Sequence, residues 1–197
     1  MRYIIILILL VGCSTKVDKK NNETKEPLIN QVSFQEENKA PIVLEELSLL
    51  NGKLAVNLPN NFGLMNEKML ATKYPSNNRP TLVYTNAEGT INFAFNHTTN
   101  PVPKDKISDL LPPFVNQFNS VYPQIEWFKK DLEIVNDKNF IVLEFIVPAI
   151  DTKIYNLMYI TELDGKMFMS TFNCIESIKN EWEIIAKKSL NSIKITE

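Results

Sequence analysis

Phe140-Ile141-Val142-Leu143-Glu144-Phe145-Ile146-Val147 is an almost unbroken apolar run, too short for a membrane span and bounded by turn-forming residues. Its first four side chains are apolar at odd and even positions alike. A strand with that pattern has both faces covered, so the run predicts a central strand. On its N-terminal side, Leu132 to Val135 precedes the turn residues Asn136-Asp137-Lys138, which predicts a hairpin. On its C-terminal side, Lys153 to Glu162 and Lys166 to Asn173 are joined through Asp164-Gly165, a second hairpin.

Two more hairpins are expected upstream. Leu47 to Leu50 and Lys53 to Asn57 flank Asn51-Gly52, the pair that favours a type I′ turn. Thr81 to Thr85 and Thr90 to Thr98 flank Asn86-Ala87-Glu88-Gly89. In the latter, Ile91, Phe93 and Phe95 alternate with Asn92, Ala94 and Asn96, which predicts one buried and one solvated face. Between them, Asn66 is placed to cap a short helix reaching Tyr74, with Met65 and Leu70 as a hydrophobic staple. Ile107, Leu110, Leu111, Phe114, Val115, Phe118, Val121 and Tyr122 recur every three or four residues as one helical stripe, with a kink or break expected at Pro112-Pro113. Ser177 is placed to cap a last helix carrying Ile178, Trp182, Ile185 and Ala186, and Ser192 to Ile195 reads as a short final strand. Successive hairpins with helices between and after them predict an α+β fold, an antiparallel sheet sandwiched by helices.

The N-terminus carries a different kind of signal. Met1-Arg2 is followed by the uncharged apolar run Tyr3 to Val11, which has the length of an export signal's hydrophobic region and not of a bilayer span. Leu10-Val11-Gly12-Cys13 resembles the bacterial lipobox, in which the peptide is cut between the small residue and the Cys, here Gly12 and Cys13, and the Cys thiol carries the lipid. Residues 1–12 are therefore expected to be a signal peptide. Residues 13–41 are expected to be a lipidated Cys and a polar, mixed-charge tether with a reach of about 30 Å. Residues 42–197 are expected to form one globular domain. Two or three acyl chains of the palmitate kind hold a protein to a membrane stably. The expected location is the cell envelope, with the domain outside the cytoplasm.

Composition narrows the function. The 197 residues include 21 Lys and Arg against 23 Asp and Glu, a formal charge of −2, so no clustered basic face for nucleic acid is indicated. With Cys13 committed to lipid, Cys174 has no disulfide partner in the chain and reads as a buried, inert thiol. His97 is the single histidine, which excludes a histidine metal cluster. It reads as a strand-end residue and not as a lone base. No nucleophile elbow, P-loop or dinucleotide glycine pattern occurs, and no cofactor is implied. Asn96-His97-Thr98 matches a glycosylation sequon by coincidence. Glu144 interrupts the central apolar run. Buried, it would have a raised pKa; the plainer expectation is solvent or a cross-strand Lys. Arg79 lies in the loop Ser76-Asn77-Asn78-Arg79-Pro80, flanked by Tyr74 and Tyr84. These three are the candidate partner-binding residues, against the plainer reading that Arg79 ties its own loop down.

The stretch Gly52-Lys53-Leu54-Ala55-Val56-Asn57-Leu58-Pro59-Asn60-Asn61-Phe62, followed by Met65, Lys73-Tyr74-Pro75, Arg79-Pro80, Gly89-Thr90-Ile91-Asn92-Phe93 and a closing helix with Trp182, resembles the PsbP-like fold, and within it the DcrB-like bacterial envelope lipoproteins. The resemblance implies an α/β/α sandwich. It also implies a non-enzymatic role in binding or assembly, since members of that fold stabilise a photosynthetic complex or bind a small GTPase, and it carries over no catalytic residue. The expected function is thus a non-enzymatic, lipid-anchored envelope module for binding or assembly, which takes another protein or a small ligand at the membrane surface. The alternatives are an immunity protein against a secreted toxin and a hydrolase with an unrecognised site.

Overall fold

The computed structural model describes residues 41–76, 79–103 and 105–196. The expected signal peptide, Cys13 and the tether up to residue 40 lie outside the described residues. No helix among the described residues is long and apolar enough to cross a membrane.

The strands are β1 (Leu44–Leu49), β2 (Leu54–Pro59), β3 (Gly63–Leu64), β4 (Leu82–Thr85), β5 (Asn92–Pro101), β6 (Glu126–Val135), β7 (Lys138–Pro148), β8 (Lys153–Leu163), β9 (Lys166–Ile175) and β10 (Lys194–Ile195). The helices are α1 (Glu67–Lys73), α2 (Leu111–Val121) and α3 (Lys179–Asn191). Seven strands form one antiparallel sheet in the order β3-β4-β5-β9-β8-β7-β6, and β1-β2-β10 form a second, smaller one.

Residues opposite one another on antiparallel strands point to the same face, so the register sorts the large sheet. On one face Phe93, Phe172, Leu157 and Ile146 pack with the small sheet (Leu54, Val56, Leu58) and with Ala186 and Leu190 of α3. Phe62, Phe93, Phe172 and Trp182 link the layers through ring contacts of 5.0–6.3 Å. On the other face Leu143, Phe145 and Met158 pack beneath Phe114 and Phe118 of α2, while Val83 and Ala94 pack beneath Met65 and Tyr74 at the two ends of α1. The architecture is α+β: helices on one face, and a helix with a small sheet on the other. The sequence reading did not foresee the small sheet. The first hairpin and the last strand leave the main sheet and close over it, with Lys194 opposite Ala55 and Ile195 opposite Leu54.

Local chemistry explains most elements. Asn136 and Asp137 both have positive φ, as do Asp164 and Gly165, and each pair closes a two-residue type I′ hairpin. Asn66 caps α1, its side chain accepting from Met69 N at 2.9 Å. Three expectations are corrected here, and one is met in its second form. The first hairpin turns through Leu50-Asn51-Gly52-Lys53 and not through two residues, with positive φ at Leu50, Asn51 and Gly52; the extra length lets Leu50 rest on the core. Of the kink or break expected at Pro112-Pro113, the structure has the break, two short helical pieces in place of one kinked helix. The two prolines open α2, where missing N–H groups leave nothing unpaired, behind a separate 3-10 turn at Ile107–Leu110. Ser177 caps nothing and lies within a 3-10 turn, Glu176–Ile178, ahead of α3. The third correction concerns β5, whose two faces are both buried.

Candidate functional site

The buried second face of β5 is polar. Asn92 and Asn96 point to the α1/α2 side, where register aligns Asn92 with Thr85 of β4 and Asn173 of β9, and Asn173 with Asn156 of β8. Thr171 stands opposite Ala94, and all of these side chains are buried. Strand alternation had marked Asn92 and Asn96 as solvated. The sheet continues on both sides of β5 and the flanking helices shield the surface, so alternation here separates a polar interior from an apolar one.

This floor is only partly satisfied. Asn92 Nδ2 donates to Asn173 Oδ1 at 3.0 Å, Asn156 Nδ2 to Ile154 O at 3.1 Å, and Thr85 Oγ1 to Ile91 O at 2.9 Å. Asn92 Oδ1, Asn96 Nδ2 and the Tyr74 hydroxyl are buried without a hydrogen-bond partner. Leaving such groups unpaired costs about 1–3 kcal/mol each, so a half-met polar floor is an unusual use of a core. Tyr74 is the residue after α1 and lies above Val83 and Ala94. Burial pushes its hydroxyl up to about 12, and the Asn173 side chain pulls the other way without reaching hydrogen-bond geometry.

The candidate partner residues do not make one surface. Tyr74 packs on the α1/α2 face, whereas Tyr84 stands opposite Phe93 and packs into the α3 face. Arg79 Nε donates to Ser76 O at 3.3 Å and so ties its own loop. His97 is bonded through Nε2 to Leu163 O at 2.9 Å. Cys174 is buried, and burial pushes its thiol up to about 12. No group of three or more His, Cys, Asp or Glu among the described residues is arranged to hold a metal.

Glu144 differs from its expectation. It is 4% exposed, and its partner is not a cross-strand Lys but Lys187 of α3, with Nζ 3.1 Å from Glu144 Oε2; Tyr155 OH donates to Oε1 at 3.0 Å. Lys187 and Lys179 both hold Glu183 at 2.5 Å. Hydrogen bonds from Lys179, then Lys187, keep the Glu183 carboxyl below its usual range. Burial, then the neighbouring Glu144 charge, pushes the Tyr155 hydroxyl well up. These groups are mutually engaged and pin α3 to the sheet.

The large sheet ends in the two-residue β3 on one side and in the long strand β6 on the other. Phe128, Leu132 and Ile134 on it are 52%, 47% and 75% exposed. A bulge between Trp127 and Lys129, followed by Lys130, blunts its first half. From Lys129 to Val135 the register is regular, and Leu132 and Ile134 share one face.

Comparison with solved structures decides the architecture. The chain superposes on the cyanobacterial PsbP (CyanoP) of Synechocystis sp. PCC 6803 with a TM-score of 0.57 at 15% identity, covering 83% of this chain and 99% of that one. The fold is PsbP-like. LpqN of Mycobacterium tuberculosis, described as involved in cell envelope biogenesis, matches with a TM-score of 0.51 at 10% identity, over 79% of this chain and 92% of its own. No protein-family model and no curated protein matches the sequence. At these identities the PsbP-like fold is what the likeness shows.

Proposed function

We propose that this chain is a lipid-anchored envelope protein with a PsbP-like domain, and that it acts by binding a protein partner along β6 and not by catalysis. The observation that carries this is the terminal strand itself. Its outer row of backbone N–H and C=O groups is a template for an added strand, and Leu132 and Ile134 offer apolar side chains beside it. The protected half of the strand confines the docking to Asp131–Val135. The lipobox-like Leu10-Val11-Gly12-Cys13 supports anchoring, and the engagement of the buried Glu144 by Lys187 and Tyr155 supports a structural role for that carboxylate.

The test is cross-linking and pull-down from membranes with the wild type, Ile134→Lys and Arg79→Ala, alongside fatty-acid labelling of Cys13→Ser. One stoichiometric partner should be captured by the wild type and Arg79→Ala and lost with Ile134→Lys, and the label should disappear with Cys13→Ser. A secreted toxin as that partner would make the chain an immunity protein. Capture unaffected by Ile134→Lys would remove β6 from the proposal.

A further inference from the structure

We infer that the corner of the domain at β3 is a membrane-contact surface, which rests on the bilayer that holds the acyl chains and turns β6 away from it. This depends on the lipid-anchored reading above and adds an orientation to it. Ile42, Val43 and Leu64 are 39%, 52% and 59% exposed. The fold gathers them. Asn60 N donates to Val43 O at 2.9 Å, and the chain turns at once, Phe62 N donating to Pro59 O at 2.9 Å, into Gly63-Leu64 of β3. Neither residues 41–44 nor residues 59–66 include a charged side chain. The corner can therefore enter the headgroup layer without stripping water from an ion. It is also where the chain leaves the domain, since Ile42 directly follows the tether.

The occupant follows from that position. Cys13 stands at the far end of the tether, residues 13–41, whose reach is about 30 Å. Three apolar side chains would not hold a free protein at a membrane. Here the lipid does so, and the tether keeps the corner at a high effective concentration beside the bilayer, where a weak apolar contact is populated. A protein partner finds less here, because β3 offers two residues for strand pairing where β6 offers ten. The two strands are opposite edges of the large sheet, about 29 Å apart along it. A domain resting on its β3 corner holds β6 on the far side, open to a partner.

The test is electron paramagnetic resonance of the full processed chain, purified from membranes and reconstituted into phosphatidylcholine vesicles. A nitroxide is placed at Asn61→Cys, an exposed position between Asn60 and Leu64, or at Ile134→Cys on β6; Cys174 is buried and takes no label. The Asn61 label is expected to be shielded from a water-soluble nickel chelate and open to oxygen, and the Ile134 label open to the chelate. Val43→Asp/Leu64→Asp changes two exposed side chains and no core contact. It should bring the Asn61 label to the accessibility of the Ile134 label while the protein still floats with the vesicles. Floating protein whose two labels are equally open to the chelate would overturn the inference and leave the anchor standing, as would shielding that survives Val43→Asp/Leu64→Asp. Protein that does not float with the vesicles would overturn the anchor and this inference with it.

Discussion

Glu144 is a carboxylate in the middle of an apolar strand, held by one hydroxyl and one ammonium. Lys187→Ala should leave it with Tyr155 alone and lower stability by about 1–3 kcal/mol in urea denaturation. A Glu144→Gln/Lys187→Ala cycle should show the two changes to be non-additive. Tyr74 makes a pH prediction. Its hydroxyl titrates at 10.0 when unperturbed and at about 12 in the fold. Between those values the unfolded chain releases the proton and the native protein keeps it, so stability falls as pH rises from 10 to 12, by about 2 kcal/mol for this residue. Cys174, raised from 9.0 to about 12, adds a loss in the same direction that begins lower. Denaturation at pH 8 and pH 11 should show the loss, and Tyr74→Phe should reduce it. Single residues were the hardest part of the sequence to read. The interruption at Glu144 was visible, but its partner Lys187 lies 43 positions away on a helix. Asn92 and Asn96 looked solvated because polarity in an alternating strand does not reveal whether a helix covers it.

Among elements, legibility followed the range of the forces involved. Asn136-Asp137 and Asp164-Gly165 close their hairpins by local backbone preference, and Asn66 caps α1 through a hydrogen bond three residues long. All were readable from a few neighbours. Asn66→Ala should cost about 1 kcal/mol and speed amide exchange in α1 ahead of the rest of the molecule. The failures were tertiary. Leu50 lengthens its turn to reach the core, and Ser177, a good capping residue by type, is bypassed because a 3-10 turn precedes α3. The edge status of β6 was not readable either, since it depends on which strand stops pairing, and its full extent, Glu126–Val135, exceeds the four residues the apolar pattern marked.

For the molecule as a whole, the sandwich was legible because hairpin followed hairpin, and antiparallel neighbours in sequence are most often neighbours in space. The order of strands departs from that rule twice, at β2 beside β10 in the small sheet and at β5 beside β9 in the large one. There the chain closes a loop from Asn92 to Asn173, whereas β6 to β9 form a meander joined by short connections. The entropy of closing a long loop delays such a contact until other structure rewards it. The meander is therefore the expected folding nucleus, and the β5–β9 seam is where the native state begins to come apart. Leu143→Ala should chiefly slow folding, and Phe95→Ala should chiefly accelerate unfolding, as read from the two arms of a chevron plot. The half-satisfied asparagines border that seam, and the bond from Asn92 to Asn173 crosses it, so Asn173→Ala would shorten the lifetime of the native protein more than it would delay its formation.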